Sequence, residues 1–291
     1  AYFILKKVRT LNFPNLFLWT YENEDMKAFE KMFSESFDHN ATNSEGKGIF
    51  HLAWDKKDYG TLDKILTAKQ EGFDLSIRDV NGRTVLMNVC EEGCVEYAEK
   101  ILSLRGVKIN IKDNEGKTAL ILACISNQEP IVSLLLKPRD TLSIDFNAKD
   151  EAGLTALSYA VIGGNLNIVR LLLKDLQHEI LQDAESICTL LHGGAVNEHL
   201  GIVQYIVSIL KSGQYGDSNL LFKSKNWSNL VEMVEREDCH LLHKEVKIIC
   251  NELLGKAPSY NDRIWSAAMK GHKETSLPSA VANYGYGTLT I

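Results

Sequence analysis

The sequence predicts an all-α repeat solenoid, made of stacked helix–turn–helix units whose turns are β-hairpin or finger loops. A thirteen-residue pattern occurs three times: RDVNGRTVLMNVC (78–90), KDNEGKTALILAC (112–124) and KDEAGLTALSYAV (149–161). A second apolar helical pattern follows each occurrence. Because one such unit cannot cover its own apolar faces, the units must stack on their neighbours. The repetition therefore predicts an array of units.

The pattern combines a tight turn with the start of a helix. Its frame is Asp, two variable residues, Gly, one variable residue, Thr, a small or β-branched residue and Leu. Gly tolerates the positive φ of a tight turn, and the Thr hydroxyl can accept a hydrogen bond from a free N–H of the first helical turn. The Leu begins the buried face. These residues are Gly82, Gly116 and Gly153; Thr84, Thr118 and Thr155; and Leu86, Leu120 and Leu157.

The second helix of each unit is predicted at 97–104, 130–136 and 167–173. Pro130 lies near the start of its helix, where the N–H that proline lacks is not needed. Each unit therefore consists of a turn and two helices.

Two further copies flank the three clear ones, and the five are numbered in chain order. Copy 1 is NSEGKGIFHLAWDKK (43–57), in which Gly48 replaces the Thr, so we expect a less well capped helix. Copy 5 is TLLHGGAVNEHLGIVQYIV (189–207), in which Ile187 replaces the turn Gly, so we expect its finger to have changed shape. A partial sixth copy, RIWSAAMKGHKE, occupies 263–274.

These residues resemble the ankyrin repeat family, whose pattern is roughly D-x-x-G-x-T-P-L-H-x-A-A-x-x-G-H followed by an aliphatic second helix, with a period of about 33 residues. The intervals here are 36, 34, 37 and 34 residues, counted between Gly48, Thr84, Thr118, Thr155 and Thr189. The Pro of T-P-L-H is absent from every copy, and its His survives only as His51 and His192. The resemblance implies that such a His braces a turn by hydrogen bonding.

The copies divide the chain into four predicted segments. A helix at 23–37 carries Met26, Phe29, Met32, Phe33 and Phe37 along one face, which suits a cover for the open end of a stack. The segment 211–261 carries helical periodicity at 226–236 and 239–254, and an independent small helical domain is the alternative there. The predicted division is 1–42 as an N-terminal helical cap or flank, 43–210 as five repeats, 211–261 as a degenerate helical repeat or insertion, and 262–291 as a partial terminal repeat and tail.

Composition disfavours several classes of protein. The net charge of −6 without a basic stripe disfavours binding to nucleic acid or to anionic membranes. No apolar run approaches the roughly 18 to 20 residues of a membrane span, so we expect no membrane insertion. Four of the six cysteines lie among aliphatic neighbours, which predicts buried free thiols in a reducing compartment: Cys90, Cys124, Cys188 and Cys250. The predicted location is the cytoplasm, with the nucleus as an alternative.

Three clusters could be taken for chemical sites, and we expect none to be one. Cys239, His240 and His243 lack a second cluster that would complete a zinc site. Cys90 and Cys94 are separated by a turn, and the pair His51 and His192 has no nucleophile and orienting acid nearby. No phosphate-binding glycine motif is present in the sequence. We therefore expect no catalysis, no cofactor and no metal.

Function is instead predicted on the concave side of the stack, where finger tips and first-helix ends align. The residues there that are free of structural roles pass from charged to apolar along the array. Leu154 and Ile162 are predicted as the contact centre, and the alternative is that they only pack on a neighbouring finger. The predicted contact residues are Lys47, Asp55, Arg83, Glu91, Glu92, Lys117, Ile125, Ser126, Leu154 and Ile162.

The resemblance implies a non-catalytic module that binds a partner protein through this concave face. The alternative is a regulatory or targeting array within a larger enzyme or membrane-trafficking protein. Because the first residue is Ala1 and not Met, we expect a fragment or a processed chain, which keeps that alternative open.

Overall fold

The structure is a computed structural model that describes residues 16–33, 39–67, 73–104, 106–137, 143–175 and 184–211. The chain divides into two compact units, Ala1–Glu151 and Ala152–Ile291. Several predicted features lie outside the described residues: the helices at 226–236 and 239–254, the partial copy at 263–274, and the side chains of Phe33, Phe37, Cys188 and Cys250.

Every regular element in the described part of the chain is a helix, so the predicted all-α repeat class is confirmed. The first unit contains α1 Leu16–Glu22, α2 Met26–Phe33, α3 Ile49–Asp55, α4 Tyr59–Thr67, α5 Val85–Glu92, α6 Val95–Leu102, α7 Ala119–Ile125 and α8 Glu129–Leu136. The second unit contains α9 Ala156–Ile162, α10 Leu166–Asp175, α11 Ala184–Val196 and α12 Leu200–Lys211. Copies 1 to 5 supply the helix pairs from α3–α4 to α11–α12. None of these described helices is long and apolar enough to cross a membrane.

The two helices of each copy pack on each other, and they also contact the equivalent helices of neighbouring copies within each unit, such as α5 with α7 and α9 with α11. The three frame leucines Leu86, Leu120 and Leu157 are buried. Each predicted second helix exists with ends within two residues of the predicted ones, and Pro130 is the second residue of α8.

The helix starts confirm the predicted capping. The hydroxyl of Thr118 accepts a hydrogen bond from the N–H of Ile121 at 3.3 Å, and Thr84 and Thr155 cap α5 and α9 in the same way. Gly48 starts α3 with no side-chain hydrogen bond, as its lack of a hydroxyl predicts. Because glycine is itself a favourable N-cap residue, the lost hydrogen bond costs copy 1 only about a few tenths of a kcal/mol.

Copy 5 departs from the others as predicted, and the form of the departure is now visible. Its first helix, α11, begins at Ala184 and runs through both Ile187 and Thr189. Thr189 therefore lies inside a helix, whereas the equivalent Thr residues of copies 2 to 4 stand at helix starts. Without a Gly at the turn, helix replaces the last part of the finger.

An acid or amide side chain closes each finger of the first unit. In copy 3, Asp113 accepts hydrogen bonds from the N–H groups of Glu115 at 2.9 Å and Lys117 at 2.8 Å. The Asp113 N–H donates to the Lys117 carbonyl at 2.9 Å, and the Gly116 N–H donates to the Asp113 carbonyl at 3.0 Å. Asn43 and Asp79 make the same bonds in copies 1 and 2. The first residue of the repeat frame is thus a turn-closing acceptor.

Backbone hydrogen bonds also join each finger of the first unit to the next. They run from the N–H of Val80 to the carbonyl of Glu45 (2.8 Å), from Asn114 to Asn81 (2.9 Å) and from Glu151 to Glu115 (3.0 Å). The fingers approach so closely that a Cβ added to Gly116 would lie 3.0 Å from the Cα of Asp150. Gly116 is therefore needed both for its φ of +79° and for the space that it leaves.

The N-terminal helices pack on each other and bond to copy 1. In α2, Phe29 is buried while Met26 keeps 37% of its surface exposed. The hydroxyl of Tyr21 in α1 donates to the Asp58 carboxylate at 2.9 Å. These contacts support the proposal that 1–42 is a flank of the first repeat.

Gly116→Ala is expected to destabilise the chain more than Gly153→Ala. Both glycines have φ near +78°, and an alanine there costs about 1 to 2 kcal/mol. Only at Gly116 does the added methyl group meet the backbone of the next finger, which adds about 1 kcal/mol or more; at Gly153 it meets no described atom within 4 Å. Urea unfolding followed by circular dichroism measures the free energy of unfolding of both variants. An equal loss of unfolding free energy in the two variants would show that the close packing of the fingers at Gly116 contributes nothing to stability.

Candidate partner-binding surface

Two positions of the repeat are in contact in copies 1 and 2, and the repeat register gives their equivalents in copies 3 and 4. The finger position is the residue just before the helix cap: Lys47, Arg83, Lys117 and Leu154 in copies 1 to 4. The helix-end position lies eight residues further on: Asp55, Glu91, Ile125 and Ile162. In each copy, these two positions and the finger tip make up what is called the finger face below.

In copies 1 and 2 the two positions form an ion pair. The Lys47 ammonium lies 2.9 Å from the carboxylates of both Asp55 and Glu45. Hydrogen bonding to Asp55 and then to Glu45 raises the pKa of Lys47. In copy 2, Arg83 donates to Glu91 at 2.5 Å. The cation on this part of the finger face is therefore neutralised within its own copy.

Copy 3 breaks the pairing, because its helix-end position is Ile125. Lys117 instead lies 2.5 Å from Glu115 of its own finger, and this hydrogen bond lowers the pKa of Glu115. Ile125 keeps 40% of its surface exposed. An exposed aliphatic side chain therefore stands where copies 1 and 2 carry a paired acid.

Glu92 and Ser126, which follow the helix-end position, have different surroundings. The Glu92 carboxylate accepts a hydrogen bond from Trp54 Nε1 at 2.9 Å and forms an ion pair with Lys57, so it links copy 2 to copy 1. Ser126 ends α7, where its N–H donates to the Leu122 carbonyl at 3.0 Å, and its side chain is half-buried. The contacts of Glu92 are thus with the neighbouring copy of the stack.

The second unit holds the predicted contact centre. Leu154 and Ile162 are both half-buried, so neither is fully solvated and neither belongs to the sealed core. The Ile162 carbonyl accepts a hydrogen bond from Nε2 of His199 in copy 5 at 2.9 Å. Copy 4 therefore carries apolar side chains at both positions that copies 1 and 2 fill with an ion pair.

One exposed apolar residue was missing from the predicted contact surface. This residue is Val196, at the helix-end position of copy 5, which is 43% exposed. The repeat register could have identified Val196, since it follows Thr189 by the same interval that separates Ile162 from Thr155. It was overlooked because copy 5 lacks a normal finger.

His51 braces a finger, as the resemblance implies. Its side chain is buried, and Nε2 donates to the Arg83 carbonyl of the next finger at 3.0 Å. Its Nδ1 is buried without a hydrogen-bond partner. Burial lowers the pKa of His51 below its usual value of 6.5. Protonation would place an unpaired N–H donor and a charge in the junction between copies 1 and 2.

Two of the candidate thiols are packed into the core. Cys90 and Cys124 are free and buried at equivalent positions of copies 2 and 3, and burial raises the pKa of each thiol to about 12. Neither thiol forms the reactive thiolate at neutral pH. Among the residues that the structure describes, no group of three or more His, Cys, Asp and Glu side chains is arranged to hold a metal. The cluster of Cys239, His240 and His243 lies outside them.

A comparison of the chain with known protein families gives a match. The family model described as ankyrin repeats, three copies, matches residues 50–150 and 140–217. Together these ranges cover more than half of the 291 residues. The resemblance predicted from the repeat frame is confirmed.

The stability of the chain is expected to fall below about pH 6.5, in part through His51. The folded-state pKa of His51 lies below that of the unfolded chain, so the unfolded state binds more protons in this range and the free energy of unfolding rises with pH. His51→Gln keeps an N–H donor for the Arg83 carbonyl but cannot titrate. Denaturant unfolding should be measured between pH 5 and pH 8, a range that brackets the ordinary histidine pKa of about 6.5 in the unfolded chain. Over this range the free energy of unfolding should change less with pH for His51→Gln than for wild type. Identical slopes would contradict the role of His51.

Proposed function

Because the chain belongs to the ankyrin repeat family, whose repeats are generally protein–protein interaction modules, we propose that it binds a partner protein through its finger face. The supporting observation is the change at the helix-end position. Paired acids occupy it in copies 1 and 2, and aliphatic residues with exposed surface occupy it from Ile125 onward. Aliphatic side chains exposed at one repeated position are typical of a contact surface.

The proposed contact residues are the ten predicted from the sequence, and the structure divides them by environment. Paired charges can steer a partner but supply little affinity, because their ion pairs must be broken or matched. Apolar residues supply affinity when a partner removes them from water. The paired charges are Lys47, Asp55, Arg83, Glu91, Glu92 and Lys117; Ser126 is polar; and the apolar residues are Ile125, Leu154 and Ile162. The proposed centre remains at Leu154 and Ile162.

A protein is favoured over nucleic acid as the partner on the basis of charge. The net charge is −6, and the finger-position cations Lys47, Arg83 and Lys117 each lie within an ion pair. A phosphate backbone would have to compete with the paired carboxylates for each of them. The proposal is for binding without catalysis, in keeping with a repeat family that is typically non-catalytic.

We also propose that the protein resides in a reducing compartment such as the cytoplasm, because two of its cysteines are free and buried. Cys90 and Cys124 are free and fully packed in the core. Stable burial of free thiols is usual where the compartment keeps cysteine reduced.

The double variant Leu154→Arg and Ile162→Arg is expected to lose partner binding while keeping its fold. Both side chains are half-buried, so arginine can reach water while its charge opposes an apolar contact. Cross-linking capture from a eukaryotic lysate, read by mass spectrometry, should recover a protein with wild type and about tenfold less with the variant.

The matched control is Trp19→Arg with Met26→Arg. This control also replaces two exposed apolar residues with arginine, but they lie on the N-terminal helices. Its capture should equal that of wild type. If the control loses the partner and the finger-face variant keeps it, binding lies in the flank and the proposal fails.

A further inference from the structure

The finger tip of copy 2 carries Asn81 followed by Gly82, which is the only Asn–Gly pair in the chain. Copies 1, 3 and 4 carry Glu45, Glu115 and Ala152 before their turn glycines. The side-chain amide of an asparagine can be attacked by the backbone nitrogen of the residue that follows it, and glycine hinders this attack least because it has no Cβ. Copy 2 therefore carries a reactive pair at a position where the other copies carry none.

The fold requires the glycine of this pair. Gly82 has a φ of +75°, in the left-handed region that side chains disfavour. A Cβ added to Gly82 would also lie 2.8 Å from the backbone nitrogen of Asn114 in the next finger, which is closer than atoms pack. A larger residue is thus excluded both by the turn and by the neighbouring finger. The residue that lets the fingers pack therefore gives Asn81 no steric protection.

The Asn81 side chain is open to water. The residue is exposed at the finger tip, and no hydrogen bond among the described residues engages its side-chain amide. Its backbone, by contrast, is held on both sides. The Asn81 N–H donates to the Asp79 carboxylate at 2.9 Å, and the Asn81 carbonyl accepts from the N–H of Asn114 at 2.9 Å. The group that would react is free while the chain around it is fixed.

The closed finger restrains the attacking nitrogen. The N–H of Gly82 donates to the Asp79 carbonyl at 2.8 Å, and the Asp79 carboxylate accepts from the N–H of Arg83 at 2.8 Å. To attack, the Gly82 nitrogen must lose its proton and move to the side-chain carbon Cγ of Asn81. Both steps are opposed while the hydrogen bond to Asp79 holds the proton and fixes the backbone. The reaction therefore requires the finger to open.

We propose that Asn81 is a site of spontaneous deamidation, and that closure of the copy 2 finger sets its rate. Solvent hydroxide removes the proton of the Gly82 nitrogen, which forms a bond to Cγ of Asn81. The bond from Cγ to Nδ2 breaks, ammonia leaves, and a five-membered succinimide remains. Water then opens either carbonyl of that ring, so the products are aspartate and isoaspartate. Overall one water is consumed and one ammonia is released, with no oxidant or reductant.

Both products change the charge of the copy 2 finger tip. In copy 1 an acid occupies the same position, and Glu45 lies 2.9 Å from the ammonium of Lys47 at the finger position. An aspartate at position 81 would stand in the same relation to Arg83, so it would compete with Glu91 for that guanidinium. The tip belongs to the finger face, but this inference goes beyond the proposed function and does not depend on it.

Isoaspartate also alters the backbone. It routes the main chain through the former side chain, which inserts one CH₂ group and displaces the carbonyl that accepts the N–H of Asn114. The hydrogen bond between the fingers of copies 2 and 3 is then lost. Amide exchange at Asn114 should therefore be about tenfold or more faster in the isoaspartyl form than in the unmodified chain.

The test is ageing of the full chain in mildly alkaline buffer, with the same chain in concentrated urea as the unfolded reference. Trypsin cleaves after Arg78 and Arg83, so residues 79–83 are released as one peptide whose only asparagine is Asn81. Mass spectrometry of this peptide measures its conversion. Conversion in the folded chain should be about tenfold or more slower than in urea. Asp79→Ala removes the carboxylate that closes the finger, so its folded rate, relative to its own rate in urea, should rise about threefold or more.

The matched control is Asn43→Ala, which removes the equivalent acceptor from the finger of copy 1. Its ratio of folded to unfolded rates at Asn81 should stay within about a factor of two of wild type. Circular dichroism shows whether each variant folds. Amide exchange of the Gly82 N–H in wild type measures the open fraction of the finger without any variant. The ratio of rates should match that fraction within about a factor of three.

Four outcomes would overturn the inference. If Asn81 does not convert even in urea, it is not a deamidation site. Equal rates in the folded chain and in urea would show that the closed finger gives no protection. A folded Asp79→Ala variant whose ratio of rates equals that of wild type would exclude closure as the control. A ratio far from the open fraction that exchange reports for Gly82 would exclude it as well.

Discussion

A single side-chain oxygen at the start of each finger organises the first unit. Asp113 and its equivalents, Asn43 and Asp79, hold the finger backbone with two hydrogen bonds each. A finger fixed in this way presents a free N–H at its tip to the carbonyl of the preceding finger. The turn glycine keeps a positive φ and leaves room for that contact, and the following Thr begins the first helix. The spacing of the fingers, and with it the position of the proposed contact surface, follows from this local closure.

Residues with no part in that closure can differ between copies without loss of the fold. At the finger and helix-end positions, copies 1 and 2 use oppositely charged residues that neutralise each other, while copy 4 uses Leu154 and Ile162. Both solutions suit the same backbone, because the finger closure uses the backbone N–H and carbonyl of the finger position and not its side chain. The chain can therefore vary the side chains of the proposed binding surface while the frame stays constant.

Much of the fold could be predicted from the sequence, because the residues of the repeat frame act on their own turn and helix. The Thr caps, the weak start of α3 at Gly48 and the altered finger of copy 5 each depend on residues within one turn, so the sequence predicts them. Other features depend on distant partners. The link from Glu92 to Trp54 and Lys57 spans two copies, and the residue pattern alone made Glu92 a surface contact. The added helix α1 has no repeat frame to reveal it. The exposure of Val196 could have been inferred from register, but the irregular finger of copy 5 concealed that register.

Amide hydrogen exchange at the finger tips tests the central claim most directly. The side chains of Val80, Asn114 and Glu151 are exposed, yet their N–H groups donate to the preceding finger. If the fingers form a bonded series, these three amides exchange about a hundredfold or more slowly than in an unfolded chain, as measured by NMR. Gly116→Ala should then speed exchange at Glu151 more than at Val80. Exchange of all three amides at the rate of an unfolded chain would contradict the account, since the fingers would then be held by their own turns alone.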